Sequence, residues 1–158
     1  MEKIILTNMC LIENKATKEV VVIHRIKDWC GIAFPGGHVE EGEAIVPSVI
    51  REVKEETGLD VDHLEFCGVR DWYDPVIQER NIVFMFKTSH FSGMLSSDSK
   101  EGLVEWRRLD SISKEEYASG LDLEMGIFFE QEILEFYSHY DPKQKQWNLI
   151  QYGGEKNE

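Results

Sequence analysis

The segment Gly37–Leu59, GHVEEGEAIVPSVIREVKEETGL, constrains this chain more than any other stretch of it. It predicts one helix with two faces. Val46, Val49, Ile50, Val53 and Thr57 recur at i, i+3, i+4, i+7 spacing, the pattern of a stripe that packs on a core. At about 100° per residue, Glu52, Glu55 and Glu56 fall within an arc of about 100° away from that stripe. Pro47 suits the first turn, where its missing N–H costs little. Gly58 suits a left-handed C-terminal cap. A charged outer face is the ordinary state of a surface helix, but three carboxylates crowded on one arc repel each other. A hard cation offsets that repulsion. Magnesium takes oxygen ligands and shares them among carboxylates, waters and substrate phosphates. The segment therefore reads as a Mg²⁺–phosphate site, with Mn²⁺ as the alternative ion.

The spacing carries a family resemblance. Gly37, Glu43, Arg51, Glu52, Val53, Glu55, Glu56, Gly58 and Leu59 match every fixed position of G-x5-E-x7-R-E-U-x-E-E-x-G-U, where U is a bulky aliphatic residue. This resembles the box of the Nudix hydrolases. The flanking W-C-G-I-A-F-P-G-G and K-E-G-L-V-E-W extend a looser similarity to the MutT-like members. The resemblance implies an α/β/α sandwich with a mixed β-sheet between helices. It implies a divalent metal held by Glu52, Glu55 and Glu56, with a backbone carbonyl of Gly36 or Gly37 as a further oxygen. Arg51 becomes an orienting partner for acidic side chains, Glu43 or Glu52 among them. The implied reaction is hydrolysis of a diphosphate linkage, with Glu52 or Glu101 accepting the proton of the attacking water.

Composition narrows the partners. At 158 residues, 42% hydrophobic and 11% aromatic, the chain is expected to form one domain, residues 1–158, with a real core. A net charge of −13 argues against nucleic-acid polymers and anionic membranes, both of which need basic surfaces. A small nucleotide bound through metal remains the expected partner, handled by a monomer or homodimer. Cys10, Cys30 and Cys67 show no C-x-x-C spacing, so neither a disulfide framework nor a zinc site is read from them. Cys10 and Cys67 sit in apolar runs and are expected to be buried. The start, MEKIILTNMC, carries no secretory pattern, and no run approaches the ~18 apolar residues of a membrane span. A cytoplasmic protein is expected.

Along the chain, residues 3–12 and 19–25 predict a strand hairpin across ENKATK. Residues 32–34 predict a short strand running into Pro35-Gly36-Gly37. Residues 61–73 and 80–88 predict long strands, residues 92–102 a loop, and residues 103–109 a strand with Trp106 inward. Ser111 to Glu115 carries a helix-start signal. Residues 121–138 predict a second long helix through Leu123, Ile127, Phe128, Ile133, Leu134 and Tyr137. Trp147, Leu149, Ile150 and Tyr152 predict a last strand, and the tail from Gly153 is expected to fray.

A base pocket calls for aromatic faces and polar edge readers. Trp29, Phe34 and Trp72 lie near loop or strand ends and are the candidates for stacking, against an ordinary core role. Asn8, Asn81 and Asp122 are the candidates for reading a purine edge. For the two asparagines, backbone satisfaction competes with that role; for Asp122, an N-cap does. The leading functional reading is hydrolysis of a nucleoside triphosphate to monophosphate and pyrophosphate, with 8-oxo-dGTP as the preferred substrate. One alternative is an ADP-ribose or nucleoside-diphosphate-sugar hydrolase, to which Pro75 in a Tyr73-Asp74-Pro75 turn lends weak support. Another is a non-catalytic nucleotide sensor, against which the intact glutamate set argues.

Overall fold

The computed structural model describes residues 1–154. β1 (Lys3–Asn14) and β2 (Glu19–Arg25) form the expected hairpin. Asn14 closes its turn: the side-chain oxygen accepts from Ala16 N–H at 3.0 Å and the carbonyl from Lys18 N–H at 2.8 Å. These β-branched runs are buried on both faces, which is why they read as continuous apolar stretches. Leu11, Val20 and Val22 enter one hydrophobic cluster, and Cys10, Ile12, Val21 and Ile23 enter another on the opposite face. That split is the two-residue period of a strand.

The hairpin then opens. β1 pairs with β2 only at Glu13–Val20 and Asn14–Glu19. From Lys3 to Ile12 it runs parallel to β6 (Glu79–Thr88) instead. The edge of β1 that β2 abandons is filled by the Pro35–Val39 segment. Cys10 N–H donates to Pro35 O at 2.7 Å, Asn8 N–H to Gly37 O at 2.9 Å, and Val39 N–H to Leu6 O at 2.9 Å. A glycine-rich loop is thereby seated as rigidly as a strand.

Around this junction the remaining strands are β3 (Gly31–Ala33), β4 (Asp60–Asp62), β5 (Glu65–Asp74), β7 (His90–Ser92), β8 (Asp98–Ser99), β9 (Gly102–Arg108), β10 (Ile133–Asp141) and β11 (Gln146–Gly153). The large mixed sheet runs β11-β10-β5-β6-β1-β2-β9-β8, with β3 on β2, and β4 pairs with β7 apart from it. One face is covered by α1 (Ile45–Thr57), the other by short helical turns between Leu109 and Phe128, including α2 (Leu121–Glu124). The layering is the expected α/β sandwich.

Several local expectations are corrected. The apolar stripe of α1 is narrower than its spacing suggests. Val49, Val53, Ser48 and Thr57 are buried, whereas Val46 and Ile50 are 45% and 37% exposed. Residues 61–73 are not one strand, because His63 takes a φ of 50° and ends β4. The 92–102 loop contains the two-residue β8. The signal after Ser111 belongs to Ser113, which caps a single 3₁₀ turn, Lys114–Glu116, in a capping box with Glu116.

The second long helix does not form. Residues 121–128 make only α2 and a 3₁₀ turn, and β10 starts at Ile133. Leu123 and Leu134, counted towards a helical stripe, are each 65% exposed. Gly126 disfavours a continuous helix by about 1 kcal/mol relative to alanine. Beyond it, β10 gains a parallel ladder with β5 and an antiparallel one with β11. Tertiary pairing outweighs the local pattern. Gly153 closes β11, and the tail beyond Gly154 lies outside the described residues. Cys10 is fully buried, and burial pushes its thiol up to about 12; Cys67 is only half-buried.

α2 is tied to the sheet by charge. The Arg70 guanidinium on β5 donates to the buried Glu124 carboxylate. Burial holds Arg70 down at about 10. Removing one member of a buried pair strands the other, at about 3–5 kcal/mol. We expect Arg70→Met to lower unfolding stability by that order in a denaturant titration. A loss under about 1 kcal/mol, the size for an exposed pair, would show that the pair does not fasten α2.

Candidate active site around the glutamate face of α1

Two glycines bring the loop against β1 and α1. A Cβ on Gly36 would overlap the Asn8 carbonyl, and one on Gly37 would collide with the Glu52 carboxylate. The Pro35 and Gly37 carbonyls face β1, so the Gly36 carbonyl, out of phase by one residue, faces away from it. The Gly36 backbone N–H favours the charged form of the Glu56 carboxyl. Of the two glycine carbonyls expected as metal ligands, Gly37 O accepts from Asn8 N–H, which leaves Gly36 O as the candidate.

Asn8 is 3% exposed and serves this loop. Its amide nitrogen donates to Ser48 Oγ at 2.9 Å, and its oxygen accepts from Gly37 N–H at 3.3 Å. It joins β1, α1 and the glycine turn, and this replaces the expectation that it reads a base.

Arg51 gathers the acidic groups. Its Nε and one terminal nitrogen donate to the two oxygens of Glu43 at 2.8 and 2.9 Å. The other terminal nitrogen donates to Glu52 at 3.0 Å and Glu55 at 3.2 Å, while the one on Glu43 also donates to the His38 carbonyl at 3.0 Å. The Arg51 hydrogen bonds hold the Glu43 carboxyl down at about 2. One guanidinium thus locks the loop, the helix entry and two of the three box glutamates together.

Glu56 is different. Burial, and then the nearby Glu52 charge, push its carboxyl up to about 8, against the pull of the Gly36 N–H. Glu101 raises it further, and Arg25 lowers it. Glu101 from the β8–β9 turn therefore lies within electrostatic reach of the box helix, tethered to Arg25 at 3.6 Å. Arg25 had no sequence signal beyond being the cation that ends an apolar strand. The ladder of β2 with β9 pairs it with Gly102, next to Glu101. Glu52, Glu55 and Glu56 do not converge on one point. Among the described residues, the trio of ligand side chains that comes within 4.8 Å is Asp62, His63 and His90. Arg51 holds Glu52 and Glu55 aside, as expected of like charges given a nearby cation. An all-oxygen set with excess negative charge and a carboxyl pushed up by burial fits a hard divalent ion.

The aromatic candidates divide. Trp29 and Trp72 meet edge to face, with ring centroids 6.1 Å apart, and the Arg70 guanidinium lies 5.7 Å from the Trp72 ring centre. Trp29 is 61% exposed on a left-handed backbone, φ 52°. Asn81 is the cross-strand partner of Trp72, and its amide donates to Glu79 at 3.1 Å. Phe34 is 3% exposed and packs edge to face on Phe128 at 5.5 Å. It is core, not pocket wall. Asp122 lies half-buried in the first turn of α2, whose N-cap is Gly120 rather than an aspartate.

Glu56 gives a pH test of this geometry. Its folded pKa, about 8, is above the ordinary 4.5, so the folded chain holds a proton the unfolded chain releases. Stability present below that ordinary value is lost as pH rises through the folded value. In chelator, Glu56→Gln should melt higher than the unsubstituted chain at pH 9, with the gap closing towards pH 4.5. A gap that does not vary with pH would contradict the burial of this carboxyl.

Residues 5–131 match the family model of the NUDIX domain. The uncharacterized Nudix hydrolase YvcI of Bacillus subtilis (strain 168) is 33% identical over 90 residues, 54% of this chain and 56% of that protein. The NAD-capped RNA hydrolase NudC of Pseudomonas aeruginosa (strain LESB58) is 32% identical over 77 residues, 48% of this chain and 26% of that protein. The chain thus spans between a quarter and little more than half of these relatives. A mutator MutT protein from Bacillus halodurans shares the fold at a TM-score of 0.75 and 24% identity, over 92% of this chain and 97% of that one. Among the described residues, no helix is long and apolar enough to cross a membrane. With the family model spanning most of its length and the box glutamates set around Arg51, the chain belongs to the Nudix hydrolase family.

Proposed function

We propose that this chain hydrolyses a diphosphate linkage in a nucleoside triphosphate, releasing nucleoside monophosphate and pyrophosphate, with Mg²⁺ as its metal. The observation that carries the reading is the Arg51-centred array beside the half-buried Glu56. Glu52, Glu55, Glu56 and the Gly36 carbonyl would hold the ion. When bound, such an ion neutralises phosphate oxygens and makes a bound water more acidic. Arg51 keeps the carboxylates in place and Gly37 leaves room for Glu52. Glu52 and Glu101 are the two carboxylates we put forward to take the water's proton. A positioned base contributes about 10²–10⁴-fold, so a loss of that size in Glu101→Gln identifies Glu101 as the base, and an unchanged kcat there leaves the role to Glu52.

Trp29 and Trp72 supply aromatic faces for a nucleobase, with Asn81 beside them as the edge reader. An oxidised purine, 8-oxo-dGTP, is the preferred substrate, supported by the likeness to MutT folds. A second reading is favoured by the NudC relatives: a dinucleotide such as an NAD cap or ADP-ribose, cleaved at its diphosphate. The net charge of −13 disfavours the RNA body but not its cap.

Hydrolysis of 8-oxo-dGTP, dGTP, dATP, ADP-ribose, NAD⁺ and dinucleoside polyphosphates, compared by kcat/KM in Mg²⁺, separates these readings. We expect 8-oxo-dGTP to lead, and a lead by ADP-ribose or NAD⁺ would replace the triphosphate reading by the dinucleotide one. Glu55→Gln and Glu56→Gln should each lose at least about tenfold to a hundredfold in turnover while folding normally. Unchanged Mg²⁺-dependent turnover in both would remove these residues from the metal site. Trp72→Ala should lower kcat/KM about ten- to a hundredfold, the size of a lost base stack; an unchanged value would place the base elsewhere.

A further inference from the structure

Asp62, His63 and His90 form a second cluster, separate from the glutamate face. One carboxylate oxygen of Asp62 and one ring nitrogen from each histidine lie within 4.8 Å of one another. The two imidazoles stack, with centroids 4.3 Å apart and planes 23° apart, and His63 Nδ1 lies 3.0 Å from Asp62. The backbone builds this arrangement. Asp62 and His90 are direct partners in the β4–β7 ladder. His63 follows in a left-handed conformation, φ 50°, which an ordinary residue adopts rarely. Thr88 fastens the two strands: its hydroxyl donates to the Asp62 carbonyl at 2.7 Å and accepts from His90 N–H at 3.0 Å. Val61 and Phe91 anchor the pair in the core.

The nearby cation is already engaged. Lys54 donates to Asp60 at 3.1 Å and to the Gly58 carbonyl at 3.2 Å. Asp62 has the two imidazoles as its neighbours instead, in a chain of net charge −13.

We propose that Asp62, His63 and His90 bind a zinc ion, independently of the Mg²⁺ of the hydrolase site. Two imidazoles and a carboxylate are zinc ligands, whereas magnesium prefers oxygen donors alone. Tetrahedral Zn–N bonds place ligand atoms about 3.3 Å apart. The three side chains are exposed, and their ligand atoms stand within 4.8 Å of one another. Water completes the fourth position. The ion clamps β4 to β7 just beyond the end of α1 and so braces the helix that carries Glu52, Glu55 and Glu56.

The test is calorimetric titration of ZnCl₂ into the tag-free, chelator-treated full chain in buffer containing Mg²⁺. We expect one Zn²⁺ per chain at this site, a rise in melting temperature, and the ring-proton resonances of His63 and His90 shifting together. His63→Ala and His90→Ala should each weaken binding about tenfold or more. A Glu52→Gln/Glu56→Gln variant should retain it, which keeps this result apart from that of the hydrolase site. No zinc binding, binding that survives in the His63→Ala/His90→Ala double variant, or ring resonances that do not move would overturn the proposal. The resonances are read on the unsubstituted chain, so that arm does not depend on any variant folding.

Discussion

Arg51 is the group on which the site depends. Its guanidinium makes bonds to Glu43, Glu52, Glu55 and the His38 carbonyl, which come from the loop, the helix entry and the helix itself. Lysine offers a point charge and could not match this fork of donors. Exposed single ion pairs contribute little, and Glu55 is exposed. The value of Arg51 lies in fixing several partners at once with one half-buried side chain. With Glu52 fixed, Gly37 can lie against its carboxylate, and Gly36 lies against the backbone of β1.

The sheet makes that arrangement possible by a defect. β1 and β2 start as a hairpin and separate after two residue pairs, and the glycine loop takes the vacated edge. Asn8 then joins strand, loop and helix with one amide. A continuous hairpin would have no edge for the loop, and any side chain at Gly36 would strike β1. The parallel pairing of β1 with β6 keeps the sheet intact behind the gap. Fold and site are thus built from the same hydrogen bonds.

How much of this could be read from the residues depended on the range of the interactions. The box helix was legible because its period, its glycine cap and its carboxylate arc are local. The β1–β2 hairpin and β11 were legible for the same reason. The helix expected over 121–138 failed because apolar residues at helical spacing also suit a short turn followed by a strand, and the ladders that decide the matter join β10 to distant β5. Phe34 and Asn8 carried the right chemistry for a pocket, but their burial depends on Phe128 and Ser48, which no local pattern announces. Arg25 reaches Glu101 only through the β2–β9 ladder. Trp29 and Trp72 do meet, yet across loop and strand, so only their aromatic character was visible beforehand.

The central claim is that the glutamate face of α1, closed by the glycine loop, is where a hard divalent ion binds. Paramagnetic broadening by Mn²⁺ in amide NMR locates the ion without reference to turnover. The strongest broadening is expected at Gly36, Gly37, Glu52, Glu55 and Glu56, with Glu101 next, and excess Mg²⁺ should reverse it. Broadening centred on another part of the chain, or left in place by Mg²⁺, would contradict the claim.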